Sequence, residues 1–294
     1  MEHAEHRAAP SISIVLPAKN EAQALRSLLP RICRQQPDAE IIVVSDGSTD
    51  ATAEVCALNQ VLCLESPYSM GNGAAIKRGA RAANGEVLVF MDADGQHDPA
   101  LIARLLKRLE EGYDMVVGAR DRSGQASIHR GLANGLYNLL ASWVTGHRIM
   151  DLTSGFRVVR AARFRDFLYM LPNGFSYPTT ITMAFFRNAY AVAYEPVPVA
   201  ARDGTTSHIR PLSDGIRFLL IIFKVATLYS PLKLFAPAAG LFFGTGLAYY
   251  AYTFFTVQRF TNMSMLLLSA AVVIFLIGLV SEQITTLLYG RAPS

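Results

Sequence analysis

EVLVFMDADGQHDPALIARLLKRLEE, residues 86–111, reads in succession as a buried strand, an acidic turn and an amphipathic helix. Val87 to Met91 is an unbroken apolar run, the pattern of a strand covered on both faces. Asp98 is placed to cap the following helix, Pro99 takes its first position, and Leu101, Ile102, Leu105, Leu106 and Leu109 fall on one face. The same unit recurs along the first 120 residues. Short β-rich runs occur at Ile12–Leu16, Ile41–Val44, Val61–Leu64 and Met115–Val117, with helical periodicity at about 20–33, 50–58, 73–83 and 98–111. Strands and helices in alternation predict an α/β fold, a mostly parallel sheet with helices on both faces.

Such sheets bind ligands beyond the carboxyl ends of their strands. That rule gathers three polar segments into one crevice: Pro17-Ala18-Lys19-Asn20-Glu21, Asp46-Gly47-Ser48-Thr49-Asp50 and Asp92-Ala93-Asp94-Gly95-Gln96. Any one of them alone is ordinary turn chemistry. Asp92 and Asp94 stand two apart where an apolar strand stops, so both carboxylates can reach one point. Two adjacent anions resist ionising together unless a cation joins them. Hard oxygen donors select Mg²⁺ or Mn²⁺, and Mg²⁺ takes one or two carboxylates, with water and substrate phosphate completing its octahedron. The expected set is Asp92, Asp94, the Gln96 side-chain oxygen and a diphosphate; the other reading is a carboxylate turn that ends a strand and caps the next helix. An EF-hand loop from Asp92 fails, because His97 and Ala103 stand where Gly and Glu are required. A phosphatase using Asp92 as nucleophile, of the haloacid dehalogenase type, is disfavoured by Gln96 in place of the usual Thr and by the lack of a downstream acidic pair placed to hold its Mg²⁺.

Charge is distributed unevenly over the 294 residues. The chain has 27 Lys and Arg against 23 Asp and Glu, yet beyond Lys233 only Arg259, Glu282 and Arg291 are charged. An apolar content of 51% excludes a disordered chain, the dense charge before residue 233 excludes a wholly embedded one, and three cysteines exclude a disulfide scaffold. Cys33, Cys56 and Cys63 form no CxxC pair and suit free thiols in a reducing compartment. Residues 1–10 carry no apolar core of a signal peptide and are expected to be disordered. Uncharged runs at Leu234–Gln258 and Phe260–Ser281 each exceed the roughly 18 residues that mark a membrane helix. They predict a transmembrane hairpin over 234–290, with helices at about 234–257 and 263–288. Residues 211–233 predict an amphipathic interfacial helix, with Arg217 and Lys224 on one face of an apolar segment. Arg210, Arg217, Lys224 and Lys233 bias that side to the cytosol.

From Arg120 to Arg165 eight arginines face two aspartates, a local excess that attracts anions. Arg160, Arg163 and Arg165 are expected to face headgroups or water. Nucleic acid is a poor candidate anion, since aromatic platforms are not interleaved with the cluster.

With these residues assembled, the chain resembles the family 2 glycosyltransferases of GT-A fold, and within them the polyprenyl-phosphate (dolichyl-phosphate type) sugar synthases. The resemblance is carried by IVLPAKNEA (14–22), IIVVSDGSTDAT (41–52), GNGAAIKRGARAANGEVLVFMDADGQHDP (71–99), GAR (118–120) and DLTSGFRV (151–158), and covers about 11–210. The family pattern reads Asp-Asp-Gly-Ser where this chain has Ser45, so one contact near the nucleoside is altered. The resemblance implies that Pro17, Ala18, Asn20 and Glu21 line the nucleoside pocket, that Asp46 approaches base or ribose, and that Asp92, Asp94 and Gln96 hold the metal. Lys77 would either touch the nucleotide or lie on a solvated helix face. Arg120 and Arg130, with Arg202, would meet the acceptor phosphate, and Asp151 would either position acceptor or sugar or cap the Thr153-Ser154-Gly155 turn.

The implied reaction transfers one sugar from a UDP- or GDP-sugar to polyprenyl phosphate with inversion, helped by Mg²⁺ or Mn²⁺, at the cytosolic face of a bacterial or archaeal plasma membrane. A processive polysaccharide synthase is disfavoured because Trp143 is the sole tryptophan and no Gln-x-x-Arg-Trp element occurs. A non-catalytic membrane protein that binds a sugar nucleotide is the alternative from another class. The sugar is unread, and a homo-oligomer is compatible with the sequence.

Overall fold

The computed structural model describes residues 11–120, 135, 138, 139, 141–174, 177–198, 223, 227 and 229–289. Arg130, Arg202 and most of the 211–233 segment lie outside the described residues, as do residues 1–10. The chain divides into two compact units, one of residues 1–138 and 149–208, the other of residues 139–148 and 209–294.

The first unit is an α/β layer structure. Its elements are β1 (Ile12–Ala18), α1 (Ala22–Gln35), β2 (Glu40–Asp46), α2 (Thr52–Leu58), β3 (Leu62–Ser66), α3 (Asn72–Ala82) and β4 (Val87–Phe90). A 3₁₀ turn (Pro99–Leu101), α4 (Ile102–Glu110), β5 (Met115–Arg120), β6 (Arg157–Arg160), α5 (Ala161–Arg165), α6 (Tyr177–Arg187) and β7 (Val192–Val197) follow. The seven described strands form one sheet in the order β3-β2-β1-β4-β6-β5-β7. β1 to β5 and β7 pair in parallel wherever they meet, and β6 runs antiparallel between β4 and β5. Its register sets Arg157 level with Phe90 on one side and Val117 on the other.

The apolar runs form strands because both faces of the sheet are covered. Ile14, Val15, Leu16, Ile42, Val43, Val44, Leu88 and Val89 are fully buried. α4 seats Ile102, Leu105 and Leu109 in that core, each contributing about 1.5–3 kcal/mol by removal from water. Asp98 accepts from Ala100 N at the head of the 3₁₀ turn, with Pro99 in the first position. α3 lies flush on the sheet, since a Cβ at Gly79 would stand 2.3 Å from Val15 Cγ1.

The second unit contains two long apolar helices, α7 (Pro231–Val257) and α8 (Asn262–Tyr289), of 27 and 28 residues. At 1.5 Å per residue each reaches about 40 Å, beyond the roughly 30 Å of a bilayer's hydrocarbon. Both are long and apolar enough to cross a membrane. Gln258 ends α7 in the left-handed conformation. Apart from Pro231 and Tyr289 at the helix ends, the buried residues repeat every seven positions and are small: Ala239, Gly246 and Thr253 on α7; Ser264, Ala271, Gly278 and Thr285 on α8. Small residues let backbones approach, as helix pairs in lipid require. Gly278 faces Phe235 and Leu232, and Gly246 faces Leu267 and Leu268, while Leu241, Phe255, Val272 and Leu287 point outward. At the head of α7, Glu282 accepts from Ser230 Oγ at 3.1 Å and Leu232 N at 3.2 Å, a carboxylate against the positive helix end.

Candidate active site

A cavity of about 470 Å³ opens at the carboxyl ends of β1, β2 and β4. Pro17, Ala18, Lys19 and Glu21 line it from the β1 loop, Asp46 from the end of β2, and Asp92, Ala93 and Asp94 from the end of β4. Ser69, Gly71, Asn72 and Ala75 add the loop and first turn of α3, and Thr153, Gly155 and Pro178 close the far side. The three polar segments singled out in the sequence thus border one space.

Each wall is fixed by backbone donors. Asp46 accepts from Ser69 Oγ at 2.8 Å, Met70 N at 2.7 Å and Gly71 N at 2.9 Å, clasping the loop that opens α3. Burial raises its pKa, but the hydrogen bonds outweigh it and hold the carboxyl below the usual range. Gly47 follows with φ of 65°, and a Cβ there would stand 2.5 Å from Ser69 N, so only glycine lets the loop come this close. Asn20, also at positive φ, is not on the cavity wall. Its Oδ1 accepts from Thr49 N at 2.8 Å and its N–H donates to Ser48 Oγ at 3.1 Å, tying the β1 loop to the β2 loop. Asp50 completes that tie, accepting from Ala22 N at 2.9 Å and Thr52 N at 3.1 Å at the heads of α1 and α2.

Asp92 and Asp94 present their carboxylates to the same cavity. Asp94 Oδ1 accepts from Gln96 N at 3.1 Å, which sets the turn, and Gln96 itself is off the cavity wall. Gly155 backs Asp92: a Cβ there would lie 3.0 Å from Oδ2 and 3.1 Å from Oδ1. Among the described residues no three His, Cys, Asp or Glu side chains gather at one point, so a cation would take at most these two carboxylates from them. Two hard oxygen donors facing an open space fit Mg²⁺ or Mn²⁺ shared with a phosphate ligand.

Beside this centre, Arg120 and Asp151 form a forked pair, Nε to Oδ2 at 2.8 Å and Nη2 to Oδ1 at 3.1 Å. Arg120 Nη2 also donates to Thr153 Oγ1. Asp151 is buried and accepts from Thr153 N at 3.0 Å and Ser154 N at 3.1 Å, so it caps the turn as well as holding the arginine. Burial raises its pKa, and the hydrogen bond and charge of Arg120 overcome that and bring it down. The same pairing raises Arg120, against the opposing effect of burial. His97, 5% exposed, stacks on Phe156 at 4.9 Å; burial lowers its pKa, with Asp94 opposing.

Lys77 is not on the cavity wall and is partly buried. Its ammonium donates to Leu171 O at 3.0 Å and Asn173 Oδ1 at 2.6 Å, binding α3 to the segment before α6. Arg165 likewise turns inward, donating to Ala80 O at 3.1 Å and Ala83 O at 2.6 Å, where the sequence had suggested headgroups or water. Sequence reasoning did not single out Ser69, Thr153, Gly155 or Pro178 as cavity residues. The Gly71-Asn72-Gly73 and Thr153-Ser154-Gly155 turns carried a signal for the loops, and Pro178 carried none.

The site is an acidic pair and a cavity at the carboxyl edge of an α/β sheet. The chain belongs to glycosyl transferase family 2, whose model matches residues 13–168. The GtrB C-terminal hairpin model matches residues 230–287. Undecaprenyl-phosphate 4-deoxy-4-formamido-L-arabinose transferase of Photorhabdus laumondii is 34% identical over 159 residues, 51% of this chain and 49% of that one. The chain thus spans about half the length of that relative. The protein of the same name from Pseudomonas fluorescens is 30% identical over 262 residues, 82% and 72% of the two chains. The dolichyl-phosphate hexose transferase of Haloferax volcanii is 28% identical over 216 residues, 73% and 93%. Among solved structures, glucosyl-3-phosphoglycerate synthase of Mycobacterium tuberculosis, in complex with Mn²⁺, UDP and glucosyl-3-phosphoglycerate, has the same fold. Its TM-score is 0.58 at 21% identity, covering 77% of this chain and 86% of that one.

Proposed function

We propose that the protein transfers one sugar from a UDP- or GDP-sugar to a polyprenyl phosphate, inverting the anomeric carbon, with Mg²⁺ or Mn²⁺ bound. The observation that carries this reading is the convergence of Asp92 and Asp94 with the β1 and β2 loops on one cavity. Relatives named for undecaprenyl-phosphate and dolichyl-phosphate transfer support it, as does a same-fold neighbour crystallised with Mn²⁺ and UDP.

Asp92 and Asp94 would hold the cation, which when bound would supply positive charge for a departing diphosphate. Gln96 enters this set on the family resemblance alone. Pro17, Ala18 and Glu21 border the nucleoside, Asn20 steadies that wall through Ser48 and Thr49, and Asp46 shapes it through the Ser69–Gly71 loop. The nucleophile is a phosphate oxygen, already anionic at neutral pH, so no strong general base is needed. Asp151 accordingly positions Arg120, and Arg120 meets the acceptor phosphate together with Arg130 and Arg202. Alignment of two bound substrates supplies much of the rate. The hairpin of α7 and α8 keeps the chain in the bilayer that also dissolves the acceptor's apolar tail, with the cations at 210, 217, 224 and 233 on the cytosolic side.

The test is incubation of the purified full-length chain with radiolabelled UDP- and GDP-sugars, a short polyprenyl phosphate and Mn²⁺, followed by organic extraction. Label should enter the organic phase with one donor, and Asp92→Asn and Asp94→Asn should abolish it. A protein that binds donor but never moves label would instead be a sugar-nucleotide binder.

A further inference from the structure

Arg157, the first residue of β6, is 0% exposed. Among the described residues no carboxylate pairs with it. A guanidinium is not buried in this way without acceptors for its fork. Nη2 donates to Ser154 O; Nη1 donates to Pro178 O at 3.2 Å and to Thr182 Oγ1 at 3.3 Å. The guanidinium carbon lies 5.8 Å from the Tyr177 ring centroid, and Nε has no partner among the described residues.

These acceptors belong to two different walls of the cavity. Ser154 lies between Thr153 and Gly155, which both line it, and Pro178 lines it from the head of α6. One side chain therefore staples the 151–156 turn to α6 from beneath. Tyr177 OH adds a contact to Gly155 O at 3.4 Å. The stapled backbone is the surface against which Asp92 rests, because Gly155 leaves only enough room for its carboxylate oxygens.

The geometry points to Arg157 as a positioning residue of the transfer reaction, fixing the Ser154–Gly155 backbone behind Asp92 and thereby the place where that carboxylate meets a divalent cation. This rests on the reading of Asp92 as a metal ligand. A lysine at 157 keeps the charge but replaces the two separated Nη donors of the planar fork by one shorter-reaching nitrogen, and a methionine keeps bulk alone. Either way the turn loses its staple while Asp92 is untouched.

The experiment uses the full-length chain in detergent with Arg157→Lys, Arg157→Met and Thr182→Val. Two readouts are taken: Mn²⁺ binding by electron paramagnetic resonance, with and without UDP, and hydrogen exchange of peptides covering 151–156 in ligand-free protein. Both arginine variants should lose about tenfold in Mn²⁺ affinity, in the range for groups that orient metal ligands, and Thr182→Val should lose less. Exchange over 151–156 should rise while that of β1 and β2 stays the same, and kcat should fall more than the donor KM rises. Folded variants with wild-type Mn²⁺ affinity and wild-type exchange would overturn the proposal. If both arginine variants fail to fold, Thr182→Val decides by the same two readouts. A wild-type chain that takes up Mn²⁺ yet moves no sugar would sink the transfer reading and leave this comparison intact.

Discussion

Replacing Gly155 by alanine adds one methyl group to the wall of the proposed metal site. Gly155 does not use a left-handed backbone, so alanine imposes no conformational strain of its own. The new Cβ would stand 3.0 and 3.1 Å from the two Asp92 oxygens, and ordinary contact begins near 3.4 Å. The carboxylate must therefore give way by a few tenths of an ångström. Metal–ligand distances tolerate about 0.2 Å, so the displacement is enough to weaken the bond without removing the ligand. A tenfold loss of Mn²⁺ affinity, about 1.4 kcal/mol, is the expected size. Global stability should change by less than about 1 kcal/mol, the usual scale of a glycine-to-alanine change at a compatible backbone. Initial rates measured against Mn²⁺ concentration should show the half-saturating concentration rising about tenfold, with much of the rate recovered at high Mn²⁺. Calorimetric titration of Mn²⁺ with UDP gives the same comparison without turnover. A folded Gly155→Ala protein with the wild-type Mn²⁺ dependence would refute the reasoning, since it would mean that Asp92 does not hold the metal from where the structure places it.

Asp151→Asn should cost about 1–3 kcal/mol at pH 7, read by thermal melting, because Arg120 and two backbone donors lose a charged acceptor. The Asp151 carboxyl is more acidic folded than unfolded, so its contribution is complete above the unfolded value of about 4 and disappears as pH falls through the folded one. The wild-type advantage over Asp151→Asn should accordingly shrink on acidification below pH of about 4, and an advantage that grows there would contradict the pairing. Asp50→Ala removes the acceptor shared by the heads of α1 and α2 and should destabilise the first unit by about 1–2 kcal/mol in denaturant melts. Gly278→Val sets a branched side chain where even a Cβ would lie 2.7 Å from Phe235 Cβ. Cysteine pairs placed across α7 and α8 should then crosslink more slowly than in the parent hairpin.

Five of the seven strands were legible because each is a short apolar run, buried on both faces in β1, β2, β4 and β5 and half-exposed in the edge strand β3. β6 was not: RVVR is four residues long, bounded by arginines, and one of them goes fully inside the fold. β7 carries Glu195 and Pro196, a composition tolerated because it lies at the edge of the sheet. α6 gave no amphipathic stripe, since its residues from Tyr177 to Phe186 are buried all round. The strict alternation of parallel strands therefore holds only up to β5. At the site, the acidic turn and the loops after β1 and β2 were readable as local motifs. The partners of Asp46, 23 to 25 residues away, and of Lys77, 94 and 96 residues away, depend on tertiary packing that no local pattern encodes.

The antiparallel strand also acts as a spacer. With β6 between them, β4 and β5 run two lateral steps apart, about 10 Å at the usual interval, and each delivers a charged residue to the same edge. Held one strand apart, the two stations stay distinct, and under the proposed transfer that spacing would leave room for a leaving diphosphate at a cation held by Asp92 and an incoming phosphate near Arg120.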